Sequence, residues 1–154
     1  MKDSEVESAE ETILSRVTAQ AGYVACGWSL AFVVPHVYWA VGGTAWLAGH
    51  PMKGVLLAVN IIAIPLLFIA GIVALATTQS WGQSIPHRML ALAVWGVGAV
   101  LTVRGTVGII QQMLSRGRTG PQSTLTLFAD PWFLLGGVLF SITAWNYRKS
   151  RDRL

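Results

Sequence analysis

Four polar residues interrupt otherwise apolar stretches of this sequence: His36, Asn60, Arg104 and Asp130. An imidazole takes or gives a proton near neutral pH, a guanidinium presents a fork of N–H donors, and a carboxylate accepts from either. Such a set suits recognition of a polar or anionic group, with Tyr38 and Trp39 beside His36 supplying rings to grip a planar one. His36 and Asp130 also have the chemistry of a general acid and base, although nothing in their spacing demands that role. No Ser-His-Asp signature, phosphate loop or pair of catalytic carboxylates occurs, so no catalytic residue is assigned. Cys26 is the single cysteine, which rules out an internal disulfide and a thiolate-rich metal centre. A zinc site built from His36, His50 and Asp130 has no supporting ligand spacing. A bis-histidine haem would leave His36 without a second intramembrane ligand, because His50 and His87 fall in connections on opposite sides. Neither a metal nor a cofactor is expected.

What positions these residues is read from composition. Hydrophobic residues make up 53% of the 154 and charged residues 12%, against about 25% charged in an ordinary soluble domain. The charges gather in the first 16 residues, the last seven and the short connections. That pattern predicts an all-α integral membrane four-helix bundle. The spans are placed at about 20–42, 54–78, 89–113 and 130–147, between a charged tail over 1–18 and a basic tail over 148–154. Pro35 should kink the first span by crowding the carbonyl of Ala31. Pro131 suits the first turn of the fourth. In the N-terminal tail, Ser8 and Glu11 have capping-box spacing, and Ile13, Leu14 and Val17 give a short apolar face. The acidic tail and the length of the first apolar run argue against a cleavable signal peptide.

Lys2, Arg16, Arg88, Arg148, Lys149, Arg151 and Arg153 fall on one side of the spans, and Lys53, Arg116 and Arg118 on the other. Basic residues favour the cytoplasm, so both termini are expected inside, in the bacterial plasma membrane. The net charge of +4 is then an orientation signal. No groove-reading or base-stacking motif accompanies it, and nucleic acid is not expected as a partner.

At about 1.5 Å per residue, His36 and Arg104 both lie roughly 22 Å above the cytoplasmic end of their spans. Asn60 lies about two turns below the outer end of its span, and Asp130 at the outer start of the fourth. Helical spacing puts Gly22, Cys26, Ser29, His36, Ala40 and Gly43 on one face of the first span. On the third, Arg104, Gly108 and Gln111 share a face, next to a small stripe of Ala91, Gly98, Thr102 and Gly105 suited to close helix contact, as is Gly137 with Ser141. An arginine at such depth costs about 2.5–3.5 kcal/mol on insertion scales, so it must meet a partner, a cavity or the interface. Asp130 is the one acidic residue outside the two tails and the natural partner. Two readings follow for Arg104: a buried ion pair that fixes packing, or one wall of an outward-facing pocket. His36 divides likewise, between a hydrogen-bonded core imidazole and a ligand-binding or proton-handling group.

The run His36-Val37-Tyr38-Trp39-Ala40-Val41-Gly42-Gly43, together with Arg104-Gly105 and Pro131-Trp132-Phe133-Leu134-Leu135-Gly136-Gly137, resembles an uncharacterised family of small bacterial membrane proteins. That family is catalogued as domain of unknown function 3995 and is common in actinobacteria. The resemblance runs in order from about Ala21 to Tyr147 and implies a four-helix membrane protein. It carries no activity with it, and the acidic tail lies outside it.

Two functional expectations result. In the first, His36, Tyr38, Trp39, Asn60, Arg104 and Asp130 line an outer-leaflet pocket for a small polar, anionic or lipid-headgroup ligand. In the second, the protein is a structural or accessory subunit in which the same cluster only locks the helices. Its small stripes would then dock a membrane partner or a second copy.

Overall fold

Apolar chain inside a bilayer finds no water for its backbone groups, so each span must satisfy them within itself as a helix. The computed structural model describes residues 2–47, 49–115 and 124–151, and these form four long helices with no strand among the described residues. They are α1 (Lys2–Ala40), α2 (Gly54–Ala76), α3 (His87–Ser115) and α4 (Thr124–Arg151). Among the described residues, three stretches are long and apolar enough to cross a membrane: Gly54–Ala76, His87–Leu114 and Leu127–Ser150. The fold is the expected all-α membrane bundle.

The helices differ from the expected spans mainly at their ends. α1 runs without a break from Lys2 into the apolar stretch, so the tail and the first span are one helix. The side chains of Ser8 and Glu11, which carry the expected capping box, lie outside the described residues, as do those of Leu14 and Val17. So do Arg116, Arg118 and Arg153. α4 begins at Thr124 instead of Asp130, which leaves Pro131 inside the helix and not in its first turn. The apolar residues Leu127 and Phe128 continue the span upstream, and a proline inside a membrane helix is tolerated where neighbours satisfy the freed backbone. The connection after α2 contains a 3-10 turn, Ser80–Ser84. At its centre a side chain on Gly82 would collide with the carbonyl oxygen of Ala76.

Neighbouring helices run antiparallel and meet across small residues. On the α3–α4 seam Gly98 lies against Ser141, Gly137 against Thr102, and Gly105 against Leu134 and the backbone of Asp130. Between α1 and α2, Gly22 faces Thr77 and Thr78, and Gly71 faces Cys26 and Ser29. Gly136 of α4 receives the indole of Trp28 from α1. Small residues let backbones approach closely, which is how helices gain packing energy in lipid that offers no hydrophobic drive. The hydroxyls on the seam cause no penalty, since Thr102 donates to the Gly98 carbonyl at 2.8 Å and Ser141 to that of Gly137 at 2.7 Å.

Contacts are extensive for α3 with α4 and α1 with α2, intermediate for α1 with α4, and sparse for α2 with α3. The bundle therefore consists of two hairpins joined through α1 and α4. We call the end with the 77–86 connection proximal and the end with the 41–53 connection distal. An apolar core that includes Ala25, Trp28, Ala74, Leu90, Val94 and Phe140 closes the proximal half. The distal half differs: from 54 to 66 α2 buries Asn60 alone, and from 102 to 114 α3 buries only Gly105 and Gly108.

The seam can be tested by over-packing. Gly137→Val should lower stability by about 1–3 kcal/mol. Gly96→Ala, where an added Cβ meets nothing within 4 Å, should leave it unchanged or slightly raised. Equilibrium unfolding of the purified protein in mixed micelles compares the two directly.

Candidate functional site

The distal end of α1 is built around Pro35 and His36. Pro35 has no N–H for the carbonyl of Ala31, and the last carbonyls of the helix have no intrahelical donor, so this end depends on other donors. Nδ1 of His36 lies 2.8 Å from the carbonyl oxygen of Phe32. A carbonyl only accepts, so Nδ1 carries the proton and a neutral ring keeps Nε2 as an acceptor. Asn60 of α2 donates from Nδ2 to the backbone carbonyl of His36 at 2.8 Å. It holds the main chain of α1, not the imidazole. The ring itself stands edge-on to Phe32 and Trp39, with centroids 4.7 and 5.7 Å away.

Beyond His36 the helix is closed by its own sequence. Gly42 adopts φ +97°, a left-handed conformation that glycine accepts without steric cost. Its N–H reaches the Trp39 carbonyl at 3.1 Å, while Gly43 N–H reaches that of Tyr38 at 2.9 Å, forming a Schellman cap. The Tyr38 ring covers Gly43, leaving no room there for a side chain. The indole N–H of Trp39 donates to the Ala45 carbonyl at 3.0 Å, and the Tyr38 hydroxyl accepts from Ala45 N–H at 3.4 Å. Tyr38 and Trp39 thus fold the connection back onto the helix end, which is a different use from the ligand contacts expected of them. Trp46, stacked edge-on to Trp39 at 6.2 Å, is held at φ 65°, a conformation disfavoured for a bulky residue.

The second polar group sits on the α3–α4 seam. Arg104, Gly108 and Gln112 follow one another at intervals of four, so they form a single row along α3. Asp130 of α4 places its carboxylate in the hollow at Gly108, where any side chain would collide with it. Arg104 Nη1 donates to one oxygen of Asp130 at 2.8 Å, and Gln112 Nε2 donates to the other at 2.6 Å. The Arg104 guanidinium also lies 4.9 Å from the centroid of Phe133, a favourable cation–π position. The two partners differ sharply in exposure, at 2% for the Asp130 side chain and 47% for that of Arg104.

The four polar residues singled out in the sequence are therefore joined as two separate pairs. Between the pairs stand Phe32 and Phe133, ring centroids 5.0 Å apart. His36 is one turn beyond Phe32 and Asp130 one turn beyond Phe133, on antiparallel helices, so both pairs occupy one level near the distal end. Several contributors escaped the sequence reading. Gln112 and not Gln111 meets Asp130, because the carboxylate lies over Gly108 and the residue four further along shares that row. Trp28 stacks on Trp132 at 6.0 Å and meets Phe140 edge-on, and its aromatic neighbours were visible only as scattered rings. What the arrangement offers chemically is hydrogen-bond donors. Among the described residues no three of His, Cys, Asp and Glu gather as a metal site.

The coupling within the seam is measurable. Arg104→Ala and Asp130→Ala should each destabilise the bundle, and a double-mutant cycle should return an interaction of at least about 1 kcal/mol. Additive effects in that cycle would show the contact to be energetically idle. Asn60→Leu should cost about 0.6–1.7 kcal/mol, the range for an interhelical hydrogen bond in a membrane, read from the same unfolding curves.

No curated protein and no solved structure matches this chain. Residues 29–140 match the family described as "Protein of unknown function (DUF3995)". That match starts at the buried Ser29 of α1, ends at Phe140 of α4 and takes in both polar pairs with the Schellman cap between α1 and α2. Spanning more than half of the sequence, it makes this chain a member of that family.

Proposed function

We propose that this protein is a small multi-pass component of the bacterial plasma membrane, with both termini in the cytoplasm, that binds a small polar, anionic or lipid-headgroup ligand at its distal level. The observation that supports binding is the half-exposed side chain of Arg104 beside a fully covered carboxylate. An arginine that met nothing but its counter-ion would leave its other N–H donors without an acceptor in lipid, which is costly. Here Asp130 takes one nitrogen and Phe133 one face of the group. The nitrogens that Asp130 leaves unused are N–H donors that the oxygens of an anion or carbonyl could accept from. His36 and Asn60 stand on the other hairpin at the same level, and Phe32 and Phe133 form the apolar floor.

The accessory-subunit reading draws on a different fact. Both oxygens of Asp130 and the amide of Asn60 are satisfied inside the bundle, as a purely structural lock would need. Ligand-dependent stabilisation separates the two. In detergent solution, at least one compound from a panel of small carboxylates, phosphates and zwitterions should raise the melting temperature of the native protein. The double variant Arg104→Gln/Asp130→Asn, which removes both charges with little change in volume, should fold and show no such rise. Equal behaviour of both proteins across the panel would leave the accessory reading.

Orientation rests on the Lys and Arg distribution. In a Cys26→Ala background, Lys149→Cys should react with a membrane-impermeant maleimide in inverted vesicles and not in intact cells. Labelling in intact cells would reverse the topology and turn the distal level toward the cytoplasm.

A further inference from the structure

Resting on that proposed binding level, we infer that its occupant is a phospholipid of the leaflet at the distal end, entering sideways between α2 and α3 and placing its phosphodiester on Arg104. The route comes from burial. α2 and α3 make few contacts with each other, and over their distal halves they bury only Asn60, Gly105 and Gly108, whereas nearer the proximal end they also bury Ala74, Ala76, Leu90 and Val94. The side of the bundle between α2 and α3 is thus least covered in its distal half, which belongs to one leaflet.

The walls and the charge select the occupant. Val100, Val103 and Val107 flank Arg104 on α3 and are exposed, as are Ile61 and Ile62 beside Asn60 on α2. A group that reaches Arg104 past these side chains is favoured when it brings apolar surface of its own. A lipid does so, and a hydrated anion has to be stripped of water first. The polar end must then accept hydrogen bonds from a planar donor fork, a demand that phosphate oxygens meet with two parallel bonds. Asp130 already balances the charge of Arg104, so the level has no surplus of positive charge for a phosphate dianion. A phosphodiester, singly charged and often offset within a zwitterionic headgroup, fits that balance. Depth agrees as well. The Gly108–Asp130 contact lies seven residues before the end of α3 at Ser115, about 10 Å of helix, within reach of a headgroup drawn slightly inward by an arginine.

Delipidated full-length protein in detergent is compared with four additives: phosphatidylglycerol, phosphatidylethanolamine, a diacylglycerol with the same chains, and inorganic phosphate. Both phospholipids should raise the melting temperature and stay bound in native mass spectrometry, and diacylglycerol and phosphate should do neither. Arg104→Gln/Asp130→Asn should weaken phospholipid retention by about tenfold or more, while the proximal-end control Arg88→Gln retains it fully. Arg104→Lys, which keeps the counter-charge of Asp130 and loses only the planar fork, provides the same comparison without removing the ion pair and should lose retention severalfold. Retention of diacylglycerol equal to that of the phospholipids, or phospholipid retention untouched in both Arg104 variants, would overturn the inference. Stabilisation by inorganic phosphate alone, in an Arg104-dependent manner, would also overturn it yet leave the proposed binding level standing. A native protein that responds to neither these four additives nor the earlier panel would remove both.

Discussion

A carboxylate placed in hydrocarbon must be met by donors on every side that lipid would otherwise touch, and Asp130 meets that condition because Gly108 has no side chain. The hollow at Gly108 lets the carboxylate descend onto α3 between Arg104 and Gln112, one residue of the row holding each oxygen. Much of the distal seam follows from this. Gly105 must be small for the Asp130 backbone and Leu134 to approach. Asp130 itself is helical although the residue before a proline is steered away from that conformation, and its contacts with α3 oppose that tendency. Filling the hollow or removing a donor would leave a charge in lipid with no compensation, which costs far more than an ordinary packing defect.

The distal end of α1 solves a related problem by different means. Pro35 takes a donor out of the helix about one and a half turns before it stops at Ala40, and a helix end in or near lipid leaves further carbonyls unsatisfied. The Asn60 amide, the Gly42–Gly43 cap and the Trp39 indole supply bonds just where the helix finishes. The most distinctive run of the chain, from His36 to Gly43, is in large part a helix terminator. Its tyrosine covers one glycine and its tryptophan fixes the returning connection, so sequence distinctiveness here reflects local geometry at least as much as chemistry with a ligand.

Three apolar crossing segments were legible because lipid imposes one rule on each of them, about 20 apolar residues in a row. The small stripes on α1, α3 and α4 were legible for a similar reason, since close packing in lipid selects small residues at helical spacing. The Arg104–Asp130 contact was legible by elimination, as one base and one acid stood within apolar chain. What could not be read was rotation and end-point. Gln111 and Gln112 differ by about 100° around α3, and the choice between them is made by where α4 lays its carboxylate. The first turn of α4 was misplaced because proline is equally at home at N1 and inside a membrane helix with satisfied neighbours. Tyr38 and Trp39 adjoin His36 in sequence, but the turn that follows sends their polar atoms to Ala45.

The two halves of the bundle place unlike demands on their helices, and the difference bears on what the distal level can do. Where apolar side chains fill the space, the hairpins hold each other through close van der Waals packing. At the distal level, where Phe32 and Phe133 carry the contact between hairpins, each hairpin is secured by its own polar pair: Asn60 to the backbone of α1, and Arg104 with Gln112 to Asp130. Each pair is complete within one hairpin, so the proposed occupancy of the distal level would break neither. Locking and binding would then be compatible in a single residue. Asp130 engages one nitrogen of Arg104 and thereby fixes the plane of the guanidinium, and a fixed plane presents its other donors in one orientation instead of many. The ion pair that steadies α3 against α4 is thus also the contact on which the proposed binding by Arg104 would rest.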